Sequence, residues 1–279
     1  MANVLKNKVK RVGAQISSLL GIYMSPQTES ELIHGLVSRL VPYDLGIPLC
    51  RIGTSCDGGY LVPDDLDDIA YCFSPGVSDT AVFEQDLLNG RGIQSFLADY
   101  SVSSPPASLP DCDFVKKFVG AVNTEEVMTL DQWVSDKCTQ SDSRDMILQM
   151  DIEGAEYETL MATSPETLSR FRIIVLELHK LNHLDNRLFF RCVDAALSKV
   201  LEQFDVAHIH ANNAGGLTRM AGIDVPRVAE ITLLRKDRTV RKSPVRQLPN
   251  TLDAPNVSSQ QELILPNYWW VPHALSRAA

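Results

Sequence analysis

The stretch ILQMDIEGAEYETL, residues 147–160, decides the fold. Its apolar first half reads as the end of a buried strand over 146–151. Asp151, Glu153 and Glu156 follow at once, three carboxylates within six positions. The remainder reads as a helix over 155–162. Glu156 falls in its first turn, where the helix dipole favours an acid. Negative charge gathered at the rim of a core requires a positive partner, because burying an unpaired charge is costly.

The same strand-then-helix unit recurs on both sides. The apolar runs predict strands at 69–75, 93–99, 114–120, 171–179, 204–210 and 228–236, with helices at 80–90, 124–136 and 186–202. Near-continuous apolar strands alternating with helices predict an α/β fold, a mostly parallel Rossmann-like sheet covered by helices on both faces. The strand at 228–236 alternates in polarity and follows a loop with Gly and Pro but no helix. It is therefore expected to run antiparallel.

The ends of the chain read differently. Residues 4–22 have the spacing of an amphipathic helix, taken as a cap on the main domain, with weak peripheral membrane contact through residues 1–22 as the alternative. Thr28 and Glu31 form a capping-box pattern for a second helix that stops before Pro42. Beyond residue 237 the chain is rich in Pro, Asn and Ser, and Tyr268, Trp269 and Trp270 are expected to pin it to the surface. The expected organisation is a helical extension over 1–45, a Rossmann-like domain over 46–240 and a packed tail over 241–279.

Composition narrows the function. The chain has 279 residues and a net charge of −9, which argues against a general nucleic-acid binder. The charge is uneven: residues 57–68 hold five Asp and no base, whereas 235–246 hold six bases against one acid. Six cysteines without a CxxC pair, and no export signal, point to reduced thiols and a cytoplasmic location. No run approaches the roughly 18 apolar residues of a membrane span.

In an open parallel sheet, ligands bind beyond the carboxyl ends of the strands. The first strand ends in a turn of Ser74, Gly76 and Ser78, where backbone N–H groups can meet a ligand. GxGxxG is absent, which sets a dehydrogenase aside. The second strand ends in Asp99, an acid placed to accept ribose hydroxyls. Asp151 and Glu153, Glu177 and His179, and His208 and His210 then bring a pair each to one edge of the sheet. Carboxylate with imidazole suits a divalent metal or general-base chemistry. A metal-dependent hydrolase using these pairs, and a non-catalytic binding module, are competing readings.

The segments RIGTSCDGGYLVPDDL (51–66), FSPGVSDTAVFEQDL (73–87), MDIEGAEYETL (150–160), ELH (177–179) and HIHANN (208–213) resemble the FkbM-type branch of class I S-adenosylmethionine-dependent methyltransferases. The resemblance runs from about residue 51 to 236. It implies a seven-stranded sheet with a final antiparallel hairpin. It also implies methyl transfer to a hydroxyl of a sugar-containing or secondary-metabolite acceptor, a small molecule or glycan. By position, Gly76 with Ser74 and Ser78 would lie under the cofactor's methionine part. Asp99 would hold its ribose, and Asp151 would face the transfer site. His179, His208 or His210 would stand near the acceptor. In the family's strand order the seventh strand separates the fifth from the sixth. A divalent metal site is thus expected from Asp151, Glu153, Glu177 and His179 rather than from His210.

Overall fold

The computed structural model of the protein describes residues 26–107, 109, 112–139 and 143–272. Seven strands form the central sheet: β1 (Ile69–Pro75), β2 (Gln94–Ala98), β3 (Asp113–Val115), β4 (Asp145–Met150), β5 (Phe171–Leu178), β6 (Phe204–Ala211) and β7 (Ala229–Arg235). Their order is β6-β7-β5-β4-β1-β2-β3. Neighbours from β5 to β3 are parallel. β7 runs antiparallel to both β5 and β6. The fold is therefore the Rossmann-like α/β sheet expected from the alternation, with its last strand reversed.

Among the described residues five α-helices of seven or more residues accompany it, α1 (Ser30–Arg39), α2 (Val82–Arg91), α3 (Leu130–Lys137), α4 (Glu156–Ala162) and α5 (Arg187–Gln203), and a short sixth, Pro165–Ser169, lies between α4 and α5. α5 begins where the Asn186 side chain accepts from the backbone of Leu188 and Phe189. It buries Phe190, Val193, Leu197 and Val200, spaced by three and four residues so that one stripe meets the sheet. Trp133 and Leu160 join that face against Leu148 and Leu176. The opposite face packs Ile147, Ile173 and Val175 under Phe83 and Leu87 of α2. A hairpin, Leu49–Gly53 with Gly59–Pro63, completes this layer through Tyr60 and Val62. All eight residues of β5 are buried, as a strand covered on both faces must be. Each such apolar side chain contributes roughly 1.5–3 kcal/mol on burial.

Some elements depart from the sequence expectations. The predicted strand 114–120 is two pieces: β3 stops at Val115, and Phe118–Gly120 pairs in parallel with Val127–Thr129. The helix expected from 124 therefore starts only at Leu130, where the Thr129 side chain accepts from Gln132 N. No capping box forms at Thr28. Glu29 takes the N-cap position without a side-chain bond, and Thr28 N–H donates to Asp185 O at 2.7 Å. The helix predicted over 4–22 lies outside the described residues.

The tail returns to the body. Ser243–Pro244 pairs with Tyr43–Asp44, and Trp269 is buried with Nε1 donating to Asp224 O at 2.9 Å. Among the described residues no helix is long and apolar enough to cross a membrane.

Candidate active site

The loops after β1, β4 and β5 meet at one edge of the sheet. Gly76, directly after β1, sits at φ +88° and donates its N–H to Ala98 O at 2.9 Å, while Asp151 N–H donates to Pro75 O at 3.3 Å. A Cβ on Gly76 would stand 1.5 Å from the Asp151 carbonyl oxygen, so only glycine lets the two strand ends approach this closely. Above them opens a cleft of about 330 Å³, lined by Gly76, Ser78, Gln149 and Asp151 and roofed by Asp57 and Tyr60 of the hairpin.

Each of the three loops also holds one non-glycine residue in the left-handed region: Ser78 (φ 49°), Glu153 (φ 57°) and Lys180 (φ 60°). Such conformations cost of order 1–3 kcal/mol and gather at functional sites. Lys180 lays its stem where a Cβ of Gly154 would be, 2.5 Å from its Nζ.

The residues assigned from sequence to the first βαβ unit occupy distinct places. Ser74 is fully buried beneath the cleft and is held by Glu84 and by Gln149 Oε1, the latter at 2.7 Å. Asp99 accepts from Ser78 N at 2.8 Å through Oδ2, and from Ser101 N and Oγ at 2.7 Å through Oδ1. It thereby fixes the loop that carries Ser78. A carboxylate offers about four acceptor sites, so Asp99 retains capacity for one more donor.

Asp151, Glu177 and His179 converge. One ligand atom from each lies within 4.8 Å of the others, a set able to hold a metal ion. His179 Nδ1 lies 3.0 Å from Glu156 Oε1, and Nε2 lies 3.7 Å from Asp151 Oδ1 and 3.6 Å from Glu153 Oε2. Glu156 is wholly buried. The same Oε1 accepts from Ile152 N at 3.2 Å and Gly154 N at 3.1 Å. A proton on Nδ1 thus goes to Glu156, leaving Nε2 turned toward Asp151. Glu153 reaches the same nitrogen from solvent, with its side chain 88% exposed.

The charges of this cluster do not balance. Burial, then the negative charges of Asp151 and Glu230, push Glu177 up to about 10. Burial also raises Asp151, to about 6, against the pull of His179. Burial works against the imidazolium at His179, yet Glu156, Asp151 and Glu153 outweigh it and raise its pKa. Among the described residues, Asp151 Oδ1 has no hydrogen-bond partner. With both carboxyls ionised, the cluster would thus carry more negative charge than its protein surroundings compensate, so without a cation Glu177 keeps its proton.

His208 and His210 belong elsewhere. In the register Glu177 stands opposite Glu230, and Glu230 opposite His210, so β7 separates His210 from β5. His210 is bracketed by Glu230 Oε2 at 3.2 Å and Glu262 Oε1 at 2.8 Å. His208 Nε2 bonds to Asp253 Oδ1 at 2.8 Å. Both histidines therefore anchor the tail, and neither is brought to Asp151. Asn212 does reach the cluster, donating to Glu177 Oε1 at 2.6 Å, while Asn213 holds Val257 O.

A comparison with protein families matches residues 76–238 to the methyltransferase FkbM domain. The match begins at Gly76 and takes in β2 to β7, with Asp99, Asp151, Glu156, Glu177 and His179. No curated protein matches the chain.

Proposed function

Because this chain belongs to the FkbM methyltransferase family, we propose that it moves the methyl group of S-adenosylmethionine onto a hydroxyl oxygen of a small-molecule or glycan acceptor. The observation that carries this reading is the dual position of Asp151. Its side chain lines the cleft beside Gly76 and also belongs to the cluster with Glu177 and His179. Cofactor and acceptor would therefore meet at one carboxylate.

In the transfer, the sulfonium S–CH3 bond breaks with its electron pair staying on sulfur, an O–CH3 bond forms, and the hydroxyl proton passes to solvent water. The products are a thioether and a methyl ether. Much of the acceleration in such an in-line displacement comes from holding the reactants in position. The glycine approach at Gly76 opens the floor for the cofactor's methionine part. Asp99 positions the Ser78 loop and has acceptor capacity left for the ribose. Asp57 of the hairpin turn and Tyr60 of its second strand would close one side of the cleft.

Asp151, Glu177 and His179 would hold a divalent cation. The orphaned Asp151 oxygen, the raised pKa of Glu177 and the excess of negative charge fit such an ion. So does the fixing of His179 through Nδ1 by a carboxylate, the usual support of a metal-ligating histidine. When bound, the ion supplies Lewis acidity that lowers the pKa of a hydroxyl. The test is methyl transfer from isotope-labelled S-adenosylmethionine to a panel of sugar and phenolic hydroxyl acceptors, with Mg²⁺ or Mn²⁺ added. The expected product carries the label as a base-stable ether. Cofactor binding without turnover on any acceptor would favour the non-catalytic reading.

A further inference from the structure

Residues 235–246 concentrate six bases against one acid, and the proposed methyl transfer uses none of them. Five have partners. Arg235 pairs with Asp145 at 2.6 Å, Arg238 with Asp65 at 2.7 Å, Arg241 with Asp44 at 2.6 Å and Lys242 with Asp205 at 2.6 Å. Lys236 Nζ donates to the carbonyls of Leu201 and Glu202 at the end of α5. Arg246 alone makes no hydrogen bond or ion pair among the described residues; its charge is felt only through space, at Asp44.

Arg246 lines a cavity of about 610 Å³, larger than the cleft at Gly76 and sharing no lining residue with it. The cavity lies between the segment 43–49 and the tail segment 241–252, two stretches far apart in sequence. Its apolar surface comes from Leu45, Ile47, Leu49 and Leu248. His208 also lines it, only 4% exposed. The β6 register shift between Val206 and His208 turns this ring, with Ala207, toward the hairpin side of the sheet. Its Nε2 is taken by Asp253, and Nδ1 has no hydrogen bond among the described residues. An open cleft with apolar walls and a few convergent polar groups can take a small molecule; Asp44 also lines this one, with its carboxylate already taken by Arg241, and the volume falls in the usual range of roughly 300–1,000 Å³.

We propose that this cavity is a second ligand site, built for a small amphipathic anion. The apolar body would lie on the leucine and isoleucine surface, its carboxylate or phosphate would take the guanidinium of Arg246, and His208 would hydrogen-bond at the floor. Arg binds either head group through two parallel N–H···O bonds. This inference does not depend on the methyl-transfer reading.

The test is calorimetric titration of the full chain with octanoate, octyl phosphate and the neutral octanamide. At least one of the two anions should bind saturably, and octanamide at least tenfold more weakly. Arg246→Gln should weaken the anion at least tenfold, and Leu252→Trp, which narrows the mouth, should abolish its binding. S-adenosylhomocysteine should neither compete with the anion nor bind differently to either variant. Three results would overturn the proposal: no saturable anion binding, equal binding of octanamide, or anion affinity indifferent to Arg246→Gln. Competition by S-adenosylhomocysteine would overturn the separateness of the two sites. Retained thermal unfolding of both variants guards against loss by misfolding.

Discussion

Replacing Gly76 by alanine perturbs the point at which β1 and β4 meet. The new Cβ would stand 1.5 Å from the Asp151 carbonyl oxygen and 3.2 Å from Ile152 Cγ2, with Gly76 at φ +88°. Real Cβ atoms essentially never approach below 3.0 Å, so the strand ends must part. Parting them strains two backbone hydrogen bonds, Gly76 N to Ala98 O and Asp151 N to Pro75 O. Each is worth about 1 kcal/mol net. A left-handed alanine adds about 1–2 kcal/mol. The expected loss is roughly 3 kcal/mol, or a fall in Tm on the order of 6–12 °C. A typical stability of about 5–15 kcal/mol leaves the variant folded.

Gly92→Ala is the matched control. Its φ is also positive, at +68°, but a Cβ there meets nothing within 4 Å. Only the backbone cost remains, about 1–2 kcal/mol. Thermal unfolding and calorimetric titration with S-adenosylhomocysteine read the two effects together. Gly76→Ala should lose both stability and at least a hundredfold in affinity, whereas Gly92→Ala should keep its affinity. Equal behaviour of the two variants in both assays would refute the reasoning.

Other outcomes follow from the same contacts. Glu177→Gln removes a carboxyl that holds its proton at neutral pH when no cation is present, so unfolding without metal should shift by less than about 1 kcal/mol; stabilisation by added Mn²⁺ should vanish, and its persistence would clear Glu177 as a ligand. Glu156→Gln keeps one oxygen acceptor but loses the charge that fixes His179, so Mn²⁺ affinity in a fluorescence titration should fall about 10–100-fold. His210 is held protonated to about 9, because Glu230, Asp253 and Glu262 outweigh the burial that opposes its charge. That contribution is fully present below its unfolded value of 6.5, is lost as pH rises through about 9, and is on the order of 3 kcal/mol. Urea unfolding at pH 6.5 and 9.5 should show the loss in the native chain and a smaller one in His210→Gln.

The strands were legible because each is a nearly unbroken apolar run, and their ends carry the polar groups. The reversal of β7 was legible from its alternation and its helix-free approach. The register between distant segments was not. Val127–Thr129 pairs with Phe118–Gly120 through contacts no local pattern announces, and this delayed α3. Asp151, Glu177 and His179 were placed together by their positions at the ends of adjacent strands, whereas Glu153, expected with them, stands largely in solvent and outside that set. The work of Glu156 was missed: an acid in a first helical turn reads as a dipole partner, but full burial turns it back to grip His179 and the 152–154 turn. His208 and His210 share the face predicted by strand alternation, but β7 and the tail acids intervene. Strand order and tail packing, rather than the HxH pattern, decide their partners.

Gly76, Asp151 and the Ser78 loop that Asp99 fixes surround one cleft, proposed to hold the cofactor. Isothermal titration of the purified chain with S-adenosylmethionine and with S-adenosylhomocysteine tests it most directly. Saturable one-to-one binding in the micromolar range, about −8 kcal/mol, is expected. The absence of binding for both compounds at millimolar concentration, by a protein that melts cooperatively, would contradict it.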